Sequence, residues 1–166
     1  MAEYTYSLRA LPVPFPTSSC CRLGRTCEGE IEMSALVEKM KRHHQEIVHH
    51  LEAIRAANYQ KNVAVEELGK AKNLILAHLK LEDAELYPLL KQKGQTDPAI
   101  ARVAEDFARR MEPLSQEVMA FFERYNLDGG AQDLGIGFVR DLGGMINKLS
   151  NRVRQEEGEL YPLVDK

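Results

Sequence analysis

From Ser34 onward, apolar residues recur every three or four positions, in four separate runs. The first run is Val37, Met40, His44, Ile47, Leu51 and Ile54, with one histidine inside the stripe. A helix turns about once per 3.6 residues, so this spacing lays a narrow stripe along one helix face. Ser34 stands where an N-cap is expected. Asn58 to Asn62 reads as a short polar connection. The second run extends from about Val63 to Leu90, with Leu68, Ala71, Ile75, His78, Glu82 and Leu86 or Leu89 on its inner face. Pro88 marks its fraying end and Gly94 its stop.

Asp97-Pro98 pairs an N-cap residue with proline at the first helical position, a strong start signal. The third run follows as Ile100, Ala104, Phe107, Met111, Leu114, Val118, Phe121 and Tyr125, with a kink expected at Pro113. Asp128-Gly129-Gly130 is a turn. The fourth run places Leu134, Phe138, Leu142, Met145, Leu149, Arg152 and Glu156 on one face. Gly135, Gly137, Gly143 and Gly144 weaken its first half by about 1 kcal/mol each relative to alanine. They either admit a closely packed helix or mark a late start. No strand pattern competes. Four amphipathic helices with short connections predict an all-α, antiparallel, up-down-up-down four-helix bundle.

The two halves of that bundle repeat each other. Residues 78–88, HLKLEDAELYP, align without a gap to residues 152–162, RVRQEEGELYP, at a spacing of 74. Helix one aligns to helix three at a spacing of 67, which sets His44 opposite Met111. The repeat unit is a helix pair, so equivalent stripe positions converge at one level of the core. His44, His78, Met111 and Arg152 are expected there, with Glu82 and Glu156 one turn away.

Composition narrows the class. The 166 residues are 44% hydrophobic and 28% charged, with a net charge of −3, so no basic field points to nucleic acid. No apolar run reaches the length of a membrane span. Cys20, Cys21 and Cys27 are confined to residues 1–33, which leaves the main body without disulfides and suits a cytoplasmic location. Residues 1–33, with Pro12, Pro14 and Pro16, read as a disordered extension ahead of a domain at 34–166. Glu28-Gly29-Glu30 lies where purine-rich codons of a bacterial ribosome-binding site would precede a start at Met33, so the extension reads either as a disordered tail or as a non-native stretch upstream of the true start.

Histidines at inner positions, followed one turn on by carboxylates, are how helix bundles build non-haem metal sites. His44, then His78-x3-Glu82 with Leu86-Tyr87-Pro88, then Glu156 with Leu160-Tyr161-Pro162, resembles the hemerythrin-like (HHE cation-binding) family over residues 34–164. The resemblance implies metal ligands at His44, His78, Glu82 and Glu156. It also implies further ligands at two positions that here hold Met111 and Arg152. A thioether is a poor ligand for oxidised iron, and arginine stays protonated and does not ligate.

Two readings are open. In one, a single or partial iron site serves a sensing or regulatory role rather than oxygen carriage. In the other, the Arg152 guanidinium replaces the metal by pairing with both Glu82 and Glu156, and the domain is a metal-free interaction module. Arg152 with Glu156-Glu157 resembles the last helix of the anti-sigma regulators of sigma D, which implies a regulatory protein partner. No nucleophile–base pair is present, so catalysis is not expected. His43, His49 and His50 read as solvated or rim residues.

Overall fold

The computed structural model describes residues 26–125 and 134–164, and every regular element among them is helical. Helix α1 spans Thr26–Ala56, α2 Lys61–Leu81, α3 Tyr87–Gly94, α4 Pro98–Arg124 and α5 Ile136–Gln155. A wide π-helical turn, Glu82–Leu86, joins α2 to α3, and a second, Glu156–Leu160, follows α5. Backbone dihedrals stay in the α region across the first of these, so α2, the wide turn and α3 form one rod. The result is the expected four-helix bundle.

Several boundaries differ from expectation. Helix α1 begins at Thr26, eight residues ahead of Ser34, so Ser34 lies inside the helix rather than at its start. Residues 1–25 and the turn at 128–130 lie outside the described residues. The second rod does not fray at Pro88, because the helical register resets there. Tyr87 N–H bonds to Glu82 O, the wider i→i+5 closure, and Pro88 follows at the start of α3, where a missing N–H costs little. Gly94 does end α3. A Cβ there would sit 2.9 Å from Ala101 Cβ, so only glycine lets α3 and α4 approach this closely.

Asp97 accepts a hydrogen bond from Ala99 N and caps α4. Helix α4 runs through Pro113 without a break. Helix α1 closes with Tyr59 N–H on Ile54 O and Asn58 N–H on Arg55 O, a Schellman arrangement with Asn58 left-handed at φ 50°. Helix α5 starts late, after Gly135. No atom lies within 4 Å of a Cβ built on Gly143 or Gly144, so close helix packing is not their role.

The apolar stripes are buried as the periodicity requires, with one local shift. Met111 and Leu114 are only half-buried, and Ser115 is buried in their stead. The core divides into two apolar clusters. One gathers Leu51, Ile54, Leu68, Phe121, Phe138 and Leu142. The other gathers Met40, Leu86, Leu90, Phe107, Leu160 and Tyr161. A buried polar layer separates them: His44, His78, Glu82, Arg152 and Glu156, each less than a tenth exposed.

Candidate metal centre

Each side chain of the polar layer is placed by helical spacing. His78 and Glu82 are four apart, as are Arg152 and Glu156, so each pair stacks on one inner face. Both glutamates open a wide turn, and both turns end in a tyrosine that points back to the layer. Tyr161 Oη lies 3.2 Å from His44 Nε2, and Tyr87 Oη lies 3.5 Å from Arg152 Nη2. His44 enters from α1, and Met111 approaches from α4.

The histidine nitrogens and one carboxylate converge. His44 Nε2 lies 3.1 Å from His78 Nε2 and 3.0 Å from Glu156 Oε2. His78 Nε2 lies 3.9 Å from Glu156 Oε2 and 3.7 Å from Glu82 Oε1. One donor atom from each of His44, His78 and Glu156 falls within 4.8 Å of the others. Metal–ligand bonds of about 2.1 Å put neighbouring ligand atoms roughly 3.0–3.4 Å apart, so two edges of this triangle already match. A cavity of about 40 Å³ opens beside the triangle, with Ile47, Ile75 and Leu149 in its apolar wall and Met111 and Arg152 on its rim.

Proton positions follow from partner types. His44 Nδ1 lies 2.9 Å from Glu157 Oε1, and a carboxylate only accepts, so Nδ1 carries a proton. Burial pushes the His44 imidazole toward neutrality, but its bonds to Glu156 and Glu157 outweigh that and hold its pKa above the usual value. His78 is the opposite case. Burial, reinforced by the neighbouring His44 charge, lowers its pKa to about 3, so it is neutral. Its Nε2 faces protonated His44 Nε2 and accepts, which leaves its single proton on Nδ1.

The two carboxylates share a layer but not an environment. Arg152 Nε bonds Glu156 Oε1, and the guanidinium stacks over the Phe107 ring at 4.7 Å. Burial raises the Glu156 pKa, yet His44 and Arg152 together hold it below the usual range. Neither oxygen of Glu82 has a hydrogen-bond partner among the described residues. Burial and the Glu156 charge push its pKa well up, and a proton on Glu82 would be donated to Glu156. The expected bridge of Arg152 across both glutamates is therefore not formed. Four residues separate Arg152 from Glu156 on one helix, which satisfies the guanidinium locally, and Glu82 feels it only through space.

The layer fits one metal ion and not two. The two histidine nitrogens and Glu156 Oε2 are disposed around one point, Glu157 orients His44 from outside, and the oxygens of buried Glu82 accept no hydrogen bond from the described residues. The same cavity is lined by a thioether and a guanidinium, Met111 and Arg152, which offer no second donor set.

Sequence reading passed over three contributors. Glu157 was visible as half of an acidic pair, but not as the partner of His44. Tyr87 and Tyr161 served as markers of the helix ends rather than as polar contacts of the layer. His43 is not a simple rim residue, because its ring stands edge-on to His78 at 6.0 Å with Nδ1 buried. His49 is exposed, and half-buried His50 bonds Glu67 at 2.5 Å, away from the layer. No helix among the described residues is long and apolar enough to cross a membrane.

Compared with known proteins, residues 35–164 match the family described as the hemerythrin HHE cation binding domain. No curated protein and no solved structure matches the chain.

Proposed function

The chain belongs to the hemerythrin HHE cation-binding family, and from that premise we propose that it holds one metal ion, iron, for a sensing or regulatory role rather than oxygen carriage. His44, His78, Glu82 and Glu156 are its ligands in this reading. One observation carries it: two imidazole nitrogens and Glu156 Oε2 converge beside a buried carboxylate, Glu82, whose oxygens accept no hydrogen bond from the described residues. Imidazole and carboxylate together suit divalent iron, and such an ion would supply one-electron redox chemistry and a position for a small ligand. Met111 and Arg152 argue against a second ion. A unit charge about 4 Å from another repels it by roughly 4 kcal/mol at an effective dielectric near 20, and Arg152 brings such a charge to the second position.

Metal analysis of the full chain, purified without chelator and then reloaded anaerobically with ferrous iron, tests the reading. About one iron per chain is expected, with loss in His78→Ala. Arg152→His should raise the content above one by supplying a nitrogen in place of a cation. A wild-type protein that retains no metal after reloading would sink the proposal.

A second reading has its own support. The Arg152–Glu156 pair, stacked on Phe107, neutralises half of the layer without any metal. It favours a metal-free interaction module of the regulator of sigma D type, with a protein partner. Binding of that partner would be indifferent to chelator, whereas a metal-dependent sensor would change its binding on chelation.

A further inference from the structure

The His78 ring packs against two consecutive residues of α1, His43 and His44. His44 meets its Nε2 edge, with ring centroids 4.5 Å apart. The His43 ring lies 6.0 Å away at 69°, nearly edge-on. The His44 contact is a hydrogen bond, but the His43 contact is incomplete. His78 Nδ1 is buried with no partner, and so is His43 Nδ1. Carboxylate oxygens face both His44 nitrogens, so His44 donates on each edge, His78 Nε2 beside it accepts, and the His78 proton falls to Nδ1, a buried donor lacking an acceptor among the described residues. A buried donor left in that state is unfavourable. A neutral imidazole offers one nitrogen as an acceptor, and the nearby orphaned Nδ1 of His43 is suited to that role.

We propose that His43 is the positioning residue of His78, accepting from His78 Nδ1–H through one water or after a small ring rotation. This contact holds the His78 proton on Nδ1 and so keeps the Nε2 lone pair aimed at the layer. Polar atoms that face each other beyond direct hydrogen-bond range are commonly joined by a single water. Ligating histidines almost always donate their other N–H to an outer partner. His44 has Glu157 for this purpose, and His43 gives His78 the equivalent support. The consequence for metal rests on the single-ion reading, but the tautomer of His78 does not.

Long-range proton–nitrogen NMR on histidine-labelled, metal-free full chain reads the tautomer directly. His78 should show a protonated Nδ1 and an unprotonated Nε2 in the wild type. In His43→Leu, which removes the acceptor, the His78 nitrogen signals should move toward tautomer averaging. In His43→Gln, whose amide oxygen still accepts, they should return toward wild type. Cobalt(II) titration supplies the second arm, with about 10–100-fold weaker affinity expected in His43→Leu and recovery in His43→Gln. Unchanged His78 signals in His43→Leu would overturn the assignment. If the signals move but the wild type takes up no cobalt, the His43–His78 contact stands and the single-ion reading falls.

Discussion

The two copies of the Glu-Leu-Tyr-Pro segment have the same backbone and opposite electrostatics. In both, a wide turn starts at a buried glutamate and ends at a tyrosine whose hydroxyl returns to the polar layer. In the first copy the residue four before the glutamate is His78, neutral and 3.7 Å away, and Glu82 is left unpartnered. In the second it is Arg152, a fixed cation bonded to Glu156. Burial and the Glu156 charge push one carboxyl up, while His44 and Arg152 together hold the other down. Backbone geometry thus set where the carboxylates stand, while burial and the two cations gathered at Glu156, His44 and Arg152, drive their titrations apart.

The largest test of this contrast removes the cation. Arg152→Leu leaves Glu156 buried with only His44 as counter-ion, and should destabilise the metal-free protein by about 3–5 kcal/mol in denaturant unfolding. A loss below about 1 kcal/mol would mean that Arg152 does not hold the second copy together.

A smaller effect separates the two glutamates. Glu82→Gln replaces a carboxyl that is neutral in the metal-free layer with a neutral amide, which can still donate to Glu156. Metal-free stability should change by no more than about 1 kcal/mol. Glu156→Gln, which strips a charge from two cations, should cost about 3 kcal/mol. Cobalt(II) affinity should nevertheless fall at least about tenfold in both, because each removes a candidate ligand. Equal stability losses in the two variants would erase the asymmetry.

Much of this contrast was legible in the residues. Four stripes at helical spacing gave the bundle, and the gapless repeat brought His44, His78, Met111 and Arg152 to one cavity. What the pattern could not resolve was any choice made over an ångström or so. Spacing places Arg152 near both glutamates, but only coordinates show it turned to Glu156. The wide turns left a trace that helical periodicity hides. Buried positions 78, 82, 86 and 90, and again 152, 156, 160 and 164, advance in steps of four. On an ideal helix each such step drifts about 40°. A locally underwound turn removes the drift and keeps all of them inward. Contacts such as His44–Glu157 join positions 113 residues apart and have no local signal at all.

The smallest test concerns the outer clamps, which also sit at equivalent positions. Glu67 and Asp141 stand 74 apart, and each ties the helices of its own pair. Glu67 bonds Lys70 and His50, while Asp141 accepts from Tyr125 Oη at 2.8 Å and from Arg124 and Arg140. Lys70 and His50 hold Glu67 below its ordinary 4.5, and Tyr125 with the arginines holds Asp141 below its ordinary 3.8. A depressed folded value means stability that is present above the unfolded pKa and lost as pH falls through the folded one. Glu67→Gln and Asp141→Asn should each flatten the acid side of the stability–pH curve below about pH 4.5, slightly, since these groups lie near solvent. An unchanged acid limb in both would show that the clamps carry no linkage.

The wide turns also order events in time. Such a turn amounts to one residue added to an α-helix, and both copies carry it at the same place, before the same tyrosine and proline. If the halves descend from one ancestral helix pair, that insertion came before the duplication, and the His78–Arg152 divergence came after it. The underwound segment is then the older inheritance, and the ligand set is the part that later diverged.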